Sequence, residues 1–288
     1  MFSLEREKLK KYLQTVLKFI VTGLALYFVF KKTDLEEARE ILGEVSLSYL
    51  LVATLFFIAS KVASSFRLNQ YFKAIPLKLG ETYNLRLYWI GMFYNLFLPG
   101  GIGGDGYKVY LLNKQYKTGV KQLVAATLID RISGLMALLF LLLVMTVFII
   151  PVPFLNGYDW LICVGLVLGY PAYYIFNKLF FRTYIGKLLV TSLYSLLVQG
   201  LQLVSAYFIL CSLGITTDIL AYQILFLASS IVAVLPFTIG GIGARELTFV
   251  LGHDYLGVDQ NVAVVFSFLF FFITAVVSLG GAFLKTSK

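Results

Sequence analysis

Two glycine-rich strings hold the residues of this chain best suited to binding chemistry: Leu98-Pro99-Gly100-Gly101-Ile102-Gly103-Gly104-Asp105 and Leu235-Pro236-Phe237-Thr238-Ile239-Gly240-Gly241-Ile242-Gly243-Ala244-Arg245-Glu246. Each follows an apolar stretch and each is followed by charge. Glycine permits a tight turn and lets a ligand approach the main chain. A helix is expected to begin after each turn, near Gly104–Asp105 and near Ala244–Arg245. Such a start offers free N–H groups and the positive end of the macrodipole to an anion. Two starts converging from opposite sides suit a phosphate group. Lys108 and Arg245 add formal positive charge, while Asp105 and Glu246 accept from amines or hydroxyls, or cap the helices. The expected binding set is Asn95, Gly101, Gly103, Gly104, Asp105, Lys108, Asp130, Arg131, Gly240, Gly241, Gly243, Arg245 and Glu246. The plainer alternative is that the glycines only allow helices to pack closely.

Other chemistries find little support. The single His253 has no cysteine, histidine or carboxylate constellation to join and is expected at the membrane surface beside Asp254. Cys163 and Cys211 fall in apolar stretches, where a disulfide or metal site is improbable. No catalytic group, metal or cofactor is therefore expected. The Gly-x-Gly-Gly-Asp string lacks the lysine-serine ending and the strand–turn–helix setting of a nucleotide loop. Asp130-Arg131 lies about two turns into an apolar stretch, where charge is costly unless paired or hydrated. It reads either as a cavity-lining pair or as a salt bridge fixing a neighbouring element. Neighbours at i,i+1 do not face each other, so at least one of the two must reach elsewhere. Asn95 is expected to satisfy broken backbone or to face a cavity. Gln199 and Gln202 share one helical stripe, as interhelical glue or as cavity wall.

The elements that must position these groups are membrane helices. Hydrophobic residues make up 59% of the 288 and charged ones 14%, a balance that needs a second solvent to face. A crossing takes about 20 mostly apolar residues. Leu13–Phe30, Leu47–Phe66, Val124–Ile150, Trp160–Phe176, Leu188–Leu213 and Val262–Leu284 fit; Tyr83–Leu98 and Ile219–Leu235 stop short at Leu-Pro. Arg67 and Asn69 are expected at the cytoplasmic end of the second crossing. Basic residues set orientation. Lys8, Lys10 and Lys11 place the N-terminus in the cytoplasm, and Glu36, Glu37, Glu40 and Glu44 the next loop outside. The Lys108–Lys121 and Lys178–Lys187 clusters both fall inside only if the two short segments enter the bilayer and turn back.

The expected fold is therefore an all-α polytopic membrane protein. It has six transmembrane helices plus two re-entrant helical hairpins, with both termini cytoplasmic. Three crossings between the hairpins make them open from opposite faces, an inverted repeat with halves of about 1–150 and 151–288 in a single integral membrane domain. Aligning the two Gly-Gly-Ile-Gly strings sets Asp105 opposite Arg245. The formal charge of +9, concentrated in cytoplasmic loops, supports orientation and attraction to anionic lipid, not nucleic-acid binding.

Three strings in order, Asn95 to Asp105, Asp130 to Leu135 and Leu235 to Glu246, resemble the membrane domain of the lysylphosphatidylglycerol synthase superfamily, whose members are also described as flippase-like. The resemblance covers nearly the whole chain; Lys108 stands where the family pattern has arginine, which keeps the charge but loses the bidentate fork. It implies a multi-pass flippase-like domain of the cytoplasmic membrane. The founding members carry a soluble aminoacyl-transfer domain after this region, whereas this chain stops at Lys288, so lipid synthesis by this chain alone is not expected. Three readings compete. One is a non-enzymatic transporter that binds a phospholipid or polyprenyl-phosphate-type head group between the hairpins and moves it by alternating access. The others are a non-catalytic partner of a separately encoded lipid-modifying or glycosyl-transfer enzyme, and an integral enzyme acting on a lipid phosphate. The sequence names neither the lipid nor the oligomeric state.

Overall fold

The computed structural model describes residues 20–285 except 21, 22, 25, 30, 98–102, 150–156 and 235–242. Among these residues every regular element is helical. Five helices are long and apolar enough to cross a membrane: α2 (Leu47–Phe72), α5 (Val120–Thr146), α6 (Trp160–Phe180), α7 (Leu188–Ser212) and α10 (Gln260–Leu279). They correspond to five of the six expected crossings. Most of the sixth, Leu13–Phe30, lies outside the described residues. The main difference is in α2, which runs past Phe66 to Phe72 and so carries Arg67 inside the helix. Before it stands a short helix, α1 (Leu35–Gly43), whose first turn is capped by Asp34 accepting from the Glu36 and Glu37 N–H groups.

Helices α2 and α7 pack antiparallel along their length. The Ser46 N–H donates to the Ser212 carbonyl at 2.9 Å, Ser205 Oγ donates to the Ala53 carbonyl at 2.8 Å, and Arg67 Nη1 donates to Ser195 Oγ at 3.1 Å. Small buried residues at the seam, among them Ala53, Ser60, Ser64, Ser195 and Ala206, let the two backbones approach.

Four further α-helices among the described residues pair into two short hairpins. The first joins α3 (Glu81–Phe97) to α4 (Gly103–Tyr116); the second joins α8 (Ile219–Val234) to α9 (Ala244–Leu256). Their arms have 17, 14, 16 and 13 residues. At 1.5 Å per residue each is about 20 to 25 Å long, less than the roughly 30 Å hydrocarbon layer. In the first hairpin the Tyr94 and Tyr107 rings pack 4.6 Å apart near the turn and Tyr83 donates to Gln115 near the open end, so the arms run antiparallel. A Cβ on Gly104 would fall inside the Gly91 carbonyl group, so these arms touch backbone to backbone where only glycine fits.

Two apolar cores separate the hairpins. Phe57, Phe226, Phe249, Phe266 and Phe270 lead one, built on α2, α7, α8, α9 and α10. Leu68, Phe72, Leu87, Leu112 and Ile129 lead the other, built on the later part of α2 with α3, α4 and α5. The second hairpin packs into the first core and the first hairpin mainly into the second, though Trp89 and Met92 of α3 also reach the first, and α2 and α5 run through both.

Candidate functional site

A cavity of about 190 Å³ opens between α2, α3, α4, α5 and α7, and Val234 at the end of α8 reaches its wall. Among the described residues, Lys61, Arg67, Lys108 and Arg131 line it together with two carboxylates, Asp105 and Asp130. Charge at such a depth survives only when paired or hydrated. Most of it is paired. Arg67 grips Asp130 with two nitrogens, Nε to Oδ1 at 2.8 Å and Nη2 to Oδ2 at 3.2 Å, and steadies its third on Ser195. Asp105 takes Lys108 on one oxygen at 2.8 Å and Arg131 on the other at 2.5 Å. Asp130 and Arg131, adjacent in sequence, therefore reach different elements: one binds α2 and the other binds the first hairpin. The pair lines the cavity and also bridges helices.

Two cations make no salt bridge among the described residues, although Arg245 stands in the field of its neighbour Glu246. Lys61 Nζ sits over the Phe57 ring, 4.4 Å from its centroid. Arg245, on the first turn of α9, lies against Phe270 at 4.9 Å and Phe226 at 5.8 Å and donates from Nη1 to Ser230 Oγ at 3.2 Å. Phe57 and Phe270 meet edge to face, 5.5 Å apart, which links the two sites, and each cation stands within the electrostatic field of the other. Aromatic faces attract such cations without neutralising them. The second hairpin thus brings a positive charge toward the cavity that the first hairpin lines.

The helix starts are less open than expected. Asn95 Oδ1 accepts from the Gly104 N–H at 2.8 Å, so α3 itself caps α4. Glu246 accepts from the Gly243 N–H at 2.8 Å and from Ser267 Oγ at 3.0 Å, so this carboxylate serves its own helix start and its neighbour α10. Gly243, at φ +80°, makes the left-handed turn into α9. Gly101, Gly240 and Gly241, expected in the binding set, lie outside the described residues. Gly103 opens α4, and Lys108 is buried beneath Tyr88.

The sequence reading missed Lys61, Arg67 and Ser195. Lys61 carried a usable signal, a lone lysine in the middle of an apolar crossing. Arg67 was hidden because the crossing ends at Phe66 when apolar residues alone are counted. Gln199 and Gln202 both line the cavity, and Gln199 also donates to the Gly134 carbonyl at 3.4 Å.

Residues 15–281 match the family described as the lysylphosphatidylglycerol synthase TM region. The chain is also similar to the UPF0104 membrane protein PH1989 of Pyrococcus horikoshii, at 22% identity over 89% of this chain and 90% of that protein. With five helices of crossing length, these matches identify a multi-pass membrane protein.

Proposed function

Because the chain belongs to the lysylphosphatidylglycerol synthase transmembrane family, we propose that it is a lipid transporter whose cavity takes an anionic head group. The observation that carries this reading is the pair of basic side chains, Lys61 and Arg245, that make no salt bridge among the described residues and are brought together by α2 and the second hairpin beside a cavity the first hairpin lines. A buried excess of positive charge is costly until an anion arrives. A lipid phosphate supplies that charge while its chains stay in hydrocarbon.

In this reading both hairpins are re-entrant, since their arms are too short to cross. They enter from opposite leaflets as halves of one inverted-repeat domain, with both termini in the cytoplasm, and rocking of one half against the other alternately exposes the site. The membrane is the cytoplasmic one, and the function is transport without chemistry on the lipid. A separately encoded lipid-modifying enzyme would supply or consume the transported species.

Reconstitution into vesicles holding fluorescent phosphatidylglycerol tests this. Dithionite, which quenches only the outer leaflet, should bleach more than the half accessible in protein-free vesicles. Arg245→Ala and Lys61→Ala should each slow the additional bleaching by about 10-fold, the effect of losing one charge-assisted contact. Bleaching in wild-type vesicles no greater than in protein-free ones would reject transport of this lipid.

A further inference from the structure

Among the described residues that line the polar cavity, four basic side chains stand against two carboxylates, a formal surplus of two positive charges. The surplus has two sources. Arg67 and Asp130 neutralise each other one to one. Asp105 is shared by Lys108 and Arg131, so one carboxylate serves two cations and one charge is left over between α4 and α5. Lys61, on α2, makes no salt bridge among the described residues and supplies the other. Arg245 leaves this count unchanged. It lies beyond the contact between Phe57 and Phe270, in the field of its neighbour Glu246, and the two together add no net formal charge.

A surplus of two separates two classes of lipid head group. A phosphate diester, as in phosphatidylglycerol, carries a single negative charge on its unesterified oxygens. A phosphate monoester carries about 1.5 to 2 negative charges near pH 7 and offers three acceptor oxygens. In a site walled by protein and hydrocarbon, every uncompensated charge is costly. A diester leaves one of the two surplus charges without an anion, whereas a monoester dianion answers both. Its three oxygens also suit cations that come from different walls, Lys61 from α2 and the Lys108 and Arg131 pair from α4 and α5.

We propose that the cavity selects lipids headed by a terminal phosphate monoester, bound as the dianion, over phosphodiester lipids with the same chains. The proposal rests on the reading of this cavity as a lipid head-group site and narrows it to one class of phosphate. Phosphatidylglycerol is then a ligand of the same cavity held about 10- to 100-fold less tightly, the value of one further hydrogen bond between charged groups. A phosphatidate and a polyprenyl phosphate both carry the required group.

The test is direct binding to the full chain in detergent at neutral pH, with radiolabelled phosphatidate and phosphatidylmethanol. These two lipids differ by one methyl group and one charge, so the size of the head is held nearly constant. Wild type should bind phosphatidate about 10- to 100-fold more tightly. Lys61→Met removes one surplus charge and should cut that ratio by about 10-fold; Asp105→Asn adds one and should raise it. Damage to folding lowers both affinities together and leaves their ratio alone. Lys78→Met, at an exposed position outside the cavity, should also leave the ratio unchanged. A wild-type ratio near one overturns the selection, as does a ratio that neither cavity variant moves or that Lys78→Met moves as far as Lys61→Met. Competition against phosphatidate separates the sources of the phosphate. Polyprenyl phosphate should compete for the same site, and the tighter of the two lipids identifies the source. Glycerol 3-phosphate, a monoester without chains, should compete at least about 10-fold more weakly, and equal competition by it overturns the lipid source. Monoester selection in a protein that moves no lipid across vesicles overturns the transport reading and leaves the selection standing.

Discussion

Arg131 on α5 holds Asp105 on α4 at 2.5 Å, so the start of the first hairpin's second arm is fastened to a crossing helix rather than to its own partner arm alone. Lys108, one turn along α4, shares the same carboxylate at 2.8 Å. Asp105 is thus the only charge between two cations. Asp105→Asn removes the counter-charge and leaves both cations facing the cavity. Breaking a mostly buried pair costs up to about 3 to 5 kcal/mol, and the partial exposure of Arg131 lowers the expectation to about 2 kcal/mol. The cavity also becomes more positive. Thermal unfolding in detergent should fall, while anionic lipid should bind more tightly and move more slowly. Faster movement in this variant would contradict the role given to cavity charge.

The Arg67–Asp130 pair is more deeply buried, with side chains 7% and 11% exposed. Asp130→Asn leaves a guanidinium buried without its counter-ion and should cost about 3 kcal/mol or more in stability. Replacing both partners, Arg67→Met with Asp130→Leu, removes both charges together. Stability of the double variant should return to within about 1 kcal/mol of wild type, since well-packed apolar residues often replace a buried ion pair at no net cost. Lipid movement should not return. Recovery of both properties would make the pair structural only.

Five of the six expected crossings correspond to helices of crossing length among the described residues, because an apolar run of about 20 residues has few other uses. The short paired helices of the two hairpins were legible because Pro99 and Pro236 stop two runs before crossing length, with glycines following each. The site was only partly legible. Arg67 and Asp130 stand 63 residues apart, and nothing local to either specifies that α2 and α5 meet there. Asn95 and Glu246 take the capping roles the sequence offered them, and Asn95 also lines the cavity, because an unpaired N–H within the protein finds a nearby side-chain oxygen. Lys61 was overlooked for a different reason. Its long apolar stem suits a crossing helix, and only the Phe57 ring beside it shows that the ammonium stays inside rather than reaching the surface.

The contact between Gly91 and Gly104 makes a sharper structural prediction. A methyl group on Gly104 would occupy the Gly91 carbonyl, so Gly104→Ala must push α4 away from α3. Overpacking of this kind costs about 1 to 3 kcal/mol. It would also move Asp105 and the Asn95 cap. Gly106, two residues on, has nothing within 4 Å of a Cβ, and alanine there should be neutral or slightly stabilising by helix propensity. Unfolding midpoints of the two alanine variants compare the positions directly. Equal midpoints would mean that the arms are not in contact.

Arg245 tests whether charge or shape governs the second hairpin. Its guanidinium lies against Phe270 and Phe226, and a lysine there keeps the charge while losing the planar face and the fork. If charge alone attracts the head group, Arg245→Lys should bind phosphatidylglycerol like wild type. If the stacked, bidentate group is needed, affinity should drop by about 5- to 10-fold, the value of one cation–π contact with its oriented hydrogen bond. The close approach of Arg245 to Phe270 favours the second outcome. Salt separates this effect from nonspecific attraction. Raising ionic strength from about 0.1 M to 1 M shortens the screening length from about 10 Å to 3 Å. Wild-type binding should weaken more across that range than binding to a Lys61→Met, Arg245→Met double variant, whose remaining cavity cations are already paired. Equal salt sensitivity in the two proteins would remove Lys61 and Arg245 from the binding site.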